Sequence, residues 1–286
     1  MTRYESTKKV GFYGIIGNIF LLIIKFSVAF ISHSQALIAD AINSAGDIFS
    51  SLMTYIGNKI ACTPSDDNHN FGHGKAEYIF SMLISVFMLF IASKILLDSV
   101  VSIITKKEFI FSYYLILVCI ITILVKLTLY LYCKKLYKKH SNILINASMK
   151  DHRNDILLTM GTLTSIILGS FGYYFFDGIF GAVISIYIML SGIGIFLESY
   201  KILMDVSLDS NDKEEIIKYI KSQKEIKKIS DFHTVATGYK YIAIVTIYVD
   251  GSLSTFKSHE IADNLEQEIP KKYRKIYRVI VHVNPI

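Results

Sequence analysis

The chain has 286 residues, of which 52% are hydrophobic, and its formal net charge is +6 at neutral pH. A soluble domain of this length rarely carries so much apolar sequence, so the composition favours a membrane-embedded protein. The three cysteines, Cys62, Cys119 and Cys133, show no CxxC or CxxxC spacing. Their positions argue against a disulfide framework and against a thiolate metal site.

Six apolar runs follow along the chain, each long enough for a membrane-spanning helix of roughly 20 residues. The first run lacks a small-residue cleavage site, so we expect a retained span and not a secretory signal. The second is unusually polar, because it contains Asp40, Asn43 and Asp47, and the fifth has carboxylates near its start. The predicted spans are residues 10–31, 36–61, 78–104, 109–132, 149–171 and 179–203.

Basic residues are distributed unevenly over the predicted connections between spans. Two of them, Lys106 and Lys107, lie on one side of the membrane. Nine lie on the other side: Arg3, Lys8, Lys9, Lys75, Lys134, Lys135, Lys138, Lys139 and Lys150. The positive-inside rule therefore predicts a multi-pass cell-membrane protein with both termini in the cytoplasm, as an even number of spans requires.

The character of the sequence changes after about Val206. Helices are predicted over residues 214–222 and 254–268, the second with Ser254 as its N-cap. Strands are predicted over residues 228–237, 241–249 and 276–283. We therefore expect a membrane all-α domain of six transmembrane helices over residues 1–206. A small α+β domain of order α-β-β-α-β follows over residues 207–286, as a cytoplasmic regulatory or dimerisation domain.

Two pairs of oxygen-bearing side chains stand out within the spans. Asn43 and Asp47 are four residues apart and share one helix face, as do Asp151 and Asp155. A carboxylate at the membrane centre costs roughly 2.5–3.5 kcal/mol on insertion scales, so such residues usually have a function. The two pairs together could hold one cation. The alternative for Asp151 and Asp155 is that they only cap the start of span five, whereas Asp47 lies well inside its span.

Three other groups of residues are considered in addition to these two pairs. Asp40 could line the same path or pair with Lys25, and the structural role of pairing is favoured; without that partner, Lys25 would extend toward the membrane surface. The loop residues Asp66, His69 and His73 suit a first-row metal ion, because they offer one carboxylate and two imidazoles. The remaining histidines of the membrane domain, His33, His140 and His152, are predicted to be solvated.

Three histidines in the tail, His233, His259 and His282, are candidates for a further metal site, with Asp231 nearby. His282 shares a strand face with Arg278 and Ile280, so a surface or interface histidine is the simple interpretation. A tail metal site is left open.

Several of these stretches resemble the cation diffusion facilitator family, and the resemblance covers essentially the whole chain. Residues 64–77, PSDDNHNFGHGKAE, resemble the zinc-type loop of that family almost residue for residue. Residues 37–44, LIADAINS, followed by Asp47, resemble its second-helix signature, and residues 151–155, DHRND, its fifth-helix signature.

The resemblance implies a homodimer whose protomers have six helices and a metallochaperone-like cytoplasmic domain. It also implies proton-coupled metal efflux by alternating access. In the family, a lysine after the loop pairs with an acid just past span six as a dimer interlock, and Lys75 and Asp205 match those positions. Of the family's ligand positions in the tail, only His259 and His282 are matched; the others are Ser230, Thr246 and Asn284.

Departures from the family pattern bear on the transported ion. Zinc exporters of the family usually have His or Asp first in the span-two pair and His first in the span-five pair, where this chain has Asn43 and Asp151. The resulting set of Asn43, Asp47, Asp151 and Asp155 resembles the manganese-exporting branch. Carboxylate and carbonyl oxygens suit manganese, whereas imidazole suits zinc.

The sequence therefore predicts a membrane exporter of divalent cations, with manganese the leading ion and protons the counter-ion. A zinc, iron or broad-range exporter is the alternative within transport. We expect no prosthetic group, no nucleic-acid partner and no enzymatic activity. A membrane hydrolase is disfavoured because HExxH and a nucleophile elbow are missing, and a metal sensor would bind ions without moving them.

Overall fold

The computed structural model describes residues 2–32, 35–105, 113–170 and 175–286. His33, Lys106 and Lys107 lie outside these ranges, as do the side chains of Asp40 and Asn43. The described elements are α1 (Arg3–Ser32), α2 (Gln35–Ala61), α3 (Ala76–Thr105), α4 (Tyr113–His140), α5 (Ile143–Ser170), α6 (Phe175–Leu203), α7 (Ser210–Lys221), β1 (Lys228–Ala236), β2 (Tyr241–Val249), α8 (Thr255–Lys272) and β3 (Ile276–Pro285). The prediction of six long helices followed by a small α+β domain is confirmed.

The chain divides into two compact units. One comprises Met1–Cys62 and Ala76–Ser199, and the other Thr63–Lys75 and Tyr200–Ile286. The loop before α3 thus belongs to the same unit as the C-terminal domain.

The helical unit has the composition of a membrane protein. Among the described residues, four segments are long and apolar enough to cross a membrane: Arg3–Val28, Ala76–Ile104, Tyr113–His140 and Gly181–Leu203. Many large apolar side chains on these helices point outward, such as Phe90 and Leu190, which are 70% and 65% exposed. Helices α2 and α5 have similar lengths, but they carry many buried polar side chains.

Small residues allow close contacts between the helices. A Cβ at Gly11 of α1 would lie 2.8 Å from the backbone N of Tyr55 in α2, and one at Gly181 of α6 would clash with Ser99 Oγ in α3. Neither position accepts a side chain without movement of its neighbour. This is the packing expected in lipid, where van der Waals contact and not water exclusion holds helices together.

One polar network shows where three helices begin. Glu77, in the first turn of α3, accepts hydrogen bonds from Arg3 at the start of α1 and from Asn142, the residue before α5. Asn142 Oδ1 in turn accepts from the backbone N–H of Leu144, 2.7 Å away, and so caps α5. Helices α1, α3 and α5 therefore begin at the same end of the helical unit.

Helix boundaries differ most from prediction between α4 and α5. The lysine-rich stretch after residue 132 is predicted as a connection, but α4 continues to His140 and α5 already begins at Ile143. The chain turns at Ser141, whose φ of +44° is in the left-handed region. Hydropathy marks only the apolar part of a helix, whereas lysines are good helix formers that continue it beyond the membrane.

The C-terminal domain is built on one three-stranded sheet in the order β1-β2-β3. Strands β1 and β2 are antiparallel, and β3 lies parallel to β2 after the crossover through α8. Residues 243, 245, 247 and 249 of β2 are buried beneath Ile220 of α7 and Leu265 of α8. Ser254 Oγ accepts from the backbone N–H of Lys257, which confirms the predicted N-cap of α8.

Candidate metal centres

Helix α2 carries a buried polar stripe. Its members recur at spacings of three and four residues, which places them on one helix face: Ser44, Asp47, Ser51, Thr54 and Asn58. Large apolar residues on the same helix, Phe49 and Leu52, are each 40% exposed. The polar face of α2 is thus turned toward the other helices, the orientation expected of polar residues in a membrane helix.

Helix α5 presents its acidic residues far from its ends. It begins at Ile143, two turns before Asp151, so neither Asp151 nor Asp155 caps its N-terminus. Oδ2 of Asp151 is buried and has no hydrogen-bond partner among the described residues. The capping alternative for this pair is therefore wrong, because helix α5 has already completed two turns before Asp151.

A lysine joins the acidic residues of the two helices. Nζ of Lys126, on α4, lies 2.7 Å from Asp47 Oδ2 and 2.5 Å from Asp155 Oδ2. The lysine side chain is 1% exposed. Since one ammonium group contacts both carboxylates, Asp47 and Asp155 converge on a single cation-sized position. Asn43 lies one turn before Asp47 on α2, but its side chain is outside the described part.

Helix α1 donates hydrogen bonds to α2 close to Asp47. Asn18 Nδ2 donates to the backbone carbonyl of Asp47 at 2.9 Å and to Ser51 Oγ at 3.0 Å. One turn earlier on α2, Ser44 Oγ accepts from Nζ of Lys25 at 2.9 Å. Lys25 is buried, so the alternative in which its side chain extends toward the membrane surface is wrong; its ammonium group is held inside the helical unit.

His152 is also placed differently from the prediction that it is solvated. It is 1% exposed, and its Nδ1 has no hydrogen-bond partner among the described residues. Ligand atoms of Asp151, His152 and Asp155 lie within 4.8 Å of one another. A buried imidazole nitrogen therefore lies close to the carboxylates of α5. The sequence pattern alone describes the proposed ligands as an all-oxygen set.

The loop before α3 brings its three predicted ligands together. Asp66 Oδ1 lies 3.2 Å from His69 Nδ1, and Asp66 Oδ2 lies 3.5 Å from His73 Nε2. The two imidazole rings are 4.4 Å apart between centroids. The backbone N–H of His69 donates to Asp66 and lowers the pKa of that carboxyl below its ordinary value. One carboxylate and two imidazoles at these distances match the donor set of a zinc-like ion.

This loop is in contact with the turn between β1 and β2. A Cβ at Gly74 would lie 2.8 Å from the carbonyl oxygen of Thr237, and Gly238 has a φ of +102°. Next to it, Nζ of Lys75 lies 2.7 Å from Asp205 Oδ1, and both side chains are partly exposed. The predicted pairing partners are therefore in contact within one chain.

The tail histidines are not grouped in the same way. His259 on α8 is 75% exposed and lies 3.6 Å from Asp263, one turn along the same helix. His282 on β3 is exposed and pairs in the sheet with Thr246 of β2. Within the described ranges, the clusters with metal-ligand spacing are those of the loop and of α5. A metal site in the tail stays a prediction.

Models of protein families match almost the whole chain. The cation efflux transmembrane domain matches residues 11–204, and the cytoplasmic domain of cation efflux proteins matches residues 208–286. The chain belongs to the cation efflux family, also called cation diffusion facilitators. Members of this family are membrane transporters, so the prediction of a membrane metal transporter is confirmed.

Individual cation efflux proteins match at lower identity but over most or all of their length. The manganese efflux system protein MneP of Bacillus subtilis is 28% identical over 99% of this chain and 97% of its own. MneS of the same organism, also a manganese efflux system protein, is 27% identical over 100% and 99%. The cation-efflux pump FieF of Shigella boydii is 26% identical over 93% and 88%.

Sequence reasoning missed Lys126 as a functional candidate. The residue lies within the apolar run ILVKLTL of the fourth predicted span. A charged residue inside a membrane helix indicates a polar partner in the bundle. Applying that rule to basic as well as acidic residues identifies Lys126 from the sequence alone.

Proposed function

We propose that this cation efflux protein exports a divalent cation, with manganese the leading ion, across the cell membrane in exchange for protons. The ion enters from the cytoplasm and binds Asn43, Asp47, Asp151 and Asp155 in the middle of the membrane. Alternating access then opens the site to the outside.

The convergence of Asp47 and Asp155 on one ammonium group carries this proposal. Two carboxylates from different helices, buried and aimed at one point, form a site for a cation and not a helix cap. Carboxylate oxygens are ligands that suit manganese. Two full-length relatives, MneP and MneS, are named manganese efflux proteins.

The proposed topology has both termini in the cytoplasm, with residues 1–206 as the transport domain and 207–286 as the regulatory or dimerisation domain. In the active homodimer, the Lys75–Asp205 pair contributes to the interlock between protomers. The loop ligands Asp66, His69 and His73 bind an ion that stabilises the loop against the C-terminal domain. His259 and His282 are the candidate ligands of a tail site.

Proton coupling follows from the charge of the proposed site. Three aspartates contribute −3 and Lys126 +1, so the empty site carries a formal −2. A divalent cation bound by the three carboxylates leaves a formal −1, and protons arriving from outside would neutralise the carboxylates in its place and weaken metal binding. Asn43 does not titrate, which leaves Asp47, Asp151 and Asp155 as proton carriers.

A zinc exporter is the second candidate, and the position of His152 favours it. Its buried imidazole lies beside the carboxylates of α5, and imidazole is a preferred zinc ligand. This alternative requires His152 to replace an oxygen ligand during transport.

Reconstituted proteoliposomes test the proposal directly. The purified chain is inserted into vesicles that contain a metal-sensitive dye. Uptake of manganese, zinc, iron and cobalt is then compared at equal concentrations with and without a pH gradient. We expect manganese to move fastest and a pH gradient to drive it.

Asp155→Asn should abolish this flux, because it removes one of the converging carboxylates. The matched control is Asp98→Asn, since Asp98 is an exposed aspartate on membrane helix α3. Metal binding without flux would instead identify a sensor, and flux indifferent to pH would exclude proton exchange.

A further inference from the structure

Lys126 contacts two of the proposed metal ligands directly. The Oδ2 atoms of Asp47 and Asp155 lie 2.7 Å and 2.5 Å from its positively charged Nζ. These are the lengths of charge-assisted hydrogen bonds. The ammonium group therefore satisfies the two carboxylates in this conformation.

A metal ion bound to the same two oxygens needs nearly the same position. Hard divalent ions lie roughly 2.0–2.6 Å from their oxygen ligands, and the ammonium nitrogen lies barely farther from these atoms. A metal ion and an ammonium group that occupy nearly the same position repel each other strongly in a site shielded from water. The metal ion and the ammonium group thus compete for Asp47 and Asp155.

Burial makes this competition matter. The side chains of Asp47 and Asp155 are 11% and 15% exposed, and that of Lys126 is 1% exposed. Water does not replace a departing cation easily at such positions, so removing one partner leaves uncompensated charge. A site that is always paired with either a metal ion or a lysine avoids that state.

We propose that Lys126 is a tethered counter-cation of the transport site, which occupies the metal position in the empty carrier and is displaced by the incoming ion. This inference rests on the proposed transport function and adds the identity of the competing group. Lys126 acts as a positioning and specificity residue. Metal affinity is lowered because each binding event must break two charged contacts.

Replacement of Lys126 separates this role from a purely structural one. In Lys126→Met the competitor is gone, so manganese should bind tighter by about ten- to a hundredfold, the factor expected for loss of a charged hydrogen bond. Manganese should also raise the melting temperature of Lys126→Met more than that of the wild type, because it supplies the missing charge. Lys126→Arg keeps the charge and should bind manganese no tighter than the wild type.

The measurement is a manganese titration by isothermal calorimetry on the full-length protein in detergent, with monodispersity checked by size-exclusion chromatography. Lys135→Met, on an exposed position of the same helix, is the matched control and should leave the affinity unchanged. If Lys126→Met does not fold, Lys126→Gln carries the test, since its amide still donates to one carboxylate without a charge.

Different results would contradict the transport function and the counter-cation role of Lys126. A wild type that neither binds nor transports manganese or the other three ions contradicts the transport function itself. A wild type that transports, together with folded Lys126→Met and Lys126→Gln variants of equal or weaker affinity, overturns the counter-cation role and makes Lys126 an organiser of the ligands.

Discussion

The Arg3 guanidinium and the Glu77 carboxylate form a two-pronged ion pair, with Nη1 2.6 Å from Oε1 and Nη2 2.5 Å from Oε2. Their side chains are only 13% and 1% exposed. Because Asn142 also donates to Glu77, this single carboxylate connects the beginnings of α1, α3 and α5. The alignment of these three helices at one end of the bundle depends on it.

Removal of Glu77 should therefore destabilise the helical unit strongly. Glu77→Ala removes the carboxylate that faces a mostly buried guanidinium, and losing one member of a buried ion pair costs about 3–5 kcal/mol. The free energy of unfolding in mixed micelles, from a denaturant titration, is the measurement. The double variant Arg3→Met with Glu77→Gln should recover most of the loss, because no charge is left unpaired and Asn142 keeps an acceptor. No recovery would show that the ion pair itself, and not the unpaired charge, determines stability.

Much of this fold could be predicted from local patterns. Strand β2 and the Ser254 cap of α8 follow from β-branched residues and a side-chain oxygen before a helix, and both signals act over a few residues. The region around Lys134 is predicted wrongly because hydropathy reports where lipid ends, not where a helix ends. The partners of a buried polar side chain are not local in sequence, which is why the contacts of Lys126 and the burial of His152 could not be predicted.

The candidate sites also differ in whether their contacts are local in sequence. The spacing of Asp151 and Asp155 predicts a shared helix face, but it does not exclude a capping role until the start of α5 is known. The ligands of the loop lie within eight residues, so their clustering could be predicted from the sequence. The contact of Asp47 with Lys126 joins residues 79 positions apart and depends on how α2 packs against α4.

The loop cluster should bind one metal ion that is lost in acid. Metal ligands must be deprotonated to coordinate, so the affinity of this cluster for metal should fall as the pH is lowered. The lowered pKa of Asp66 has the opposite sense: this carboxylate stays ionised below the usual range and does not contribute to the loss. Cobalt absorption spectra recorded during acidification report the coordination.

His73→Ala should remove this ion and reduce the metal stoichiometry of the full chain by one equivalent. The control is Asn70→Ala, an exposed loop position without a proposed ligand role. Retention of the cobalt spectrum in His73→Ala, or its persistence in strong acid, would assign the spectrum to other ligands.

Selectivity offers a test of which atoms hold the transported ion. Asn43→His introduces a nitrogen ligand one turn from Asp47 and should raise zinc transport relative to manganese, since imidazole favours zinc. His152→Leu should have the opposite effect if that buried imidazole is used, lowering zinc flux and sparing manganese. Both ratios come from the proteoliposome assay. Unchanged ratios in both variants would mean that ligand chemistry at this level does not set selectivity.

The Lys75–Asp205 pair allows a test of the proposed dimer interlock. The two side chains are 38% and 49% exposed, so within one chain the pair is worth at most about 1 kcal/mol. Asp205 has a φ of +55°, a conformation that asparagine tolerates well. Asp205→Asn therefore removes the charge without strain, and Lys75→Gln removes the partner.

If the pair stabilises the dimer, each single variant should weaken dimerisation by about two- to fivefold, the factor that corresponds to an exposed ion pair. The double variant should be no weaker than either single one, because the same interaction is lost in all three. Single-molecule photobleaching in lipid vesicles over a range of protein densities gives the dissociation constants. Additive losses would show that the two residues act independently. Unchanged dimerisation would show that the ion pair contributes nothing to the dimer and acts within one chain.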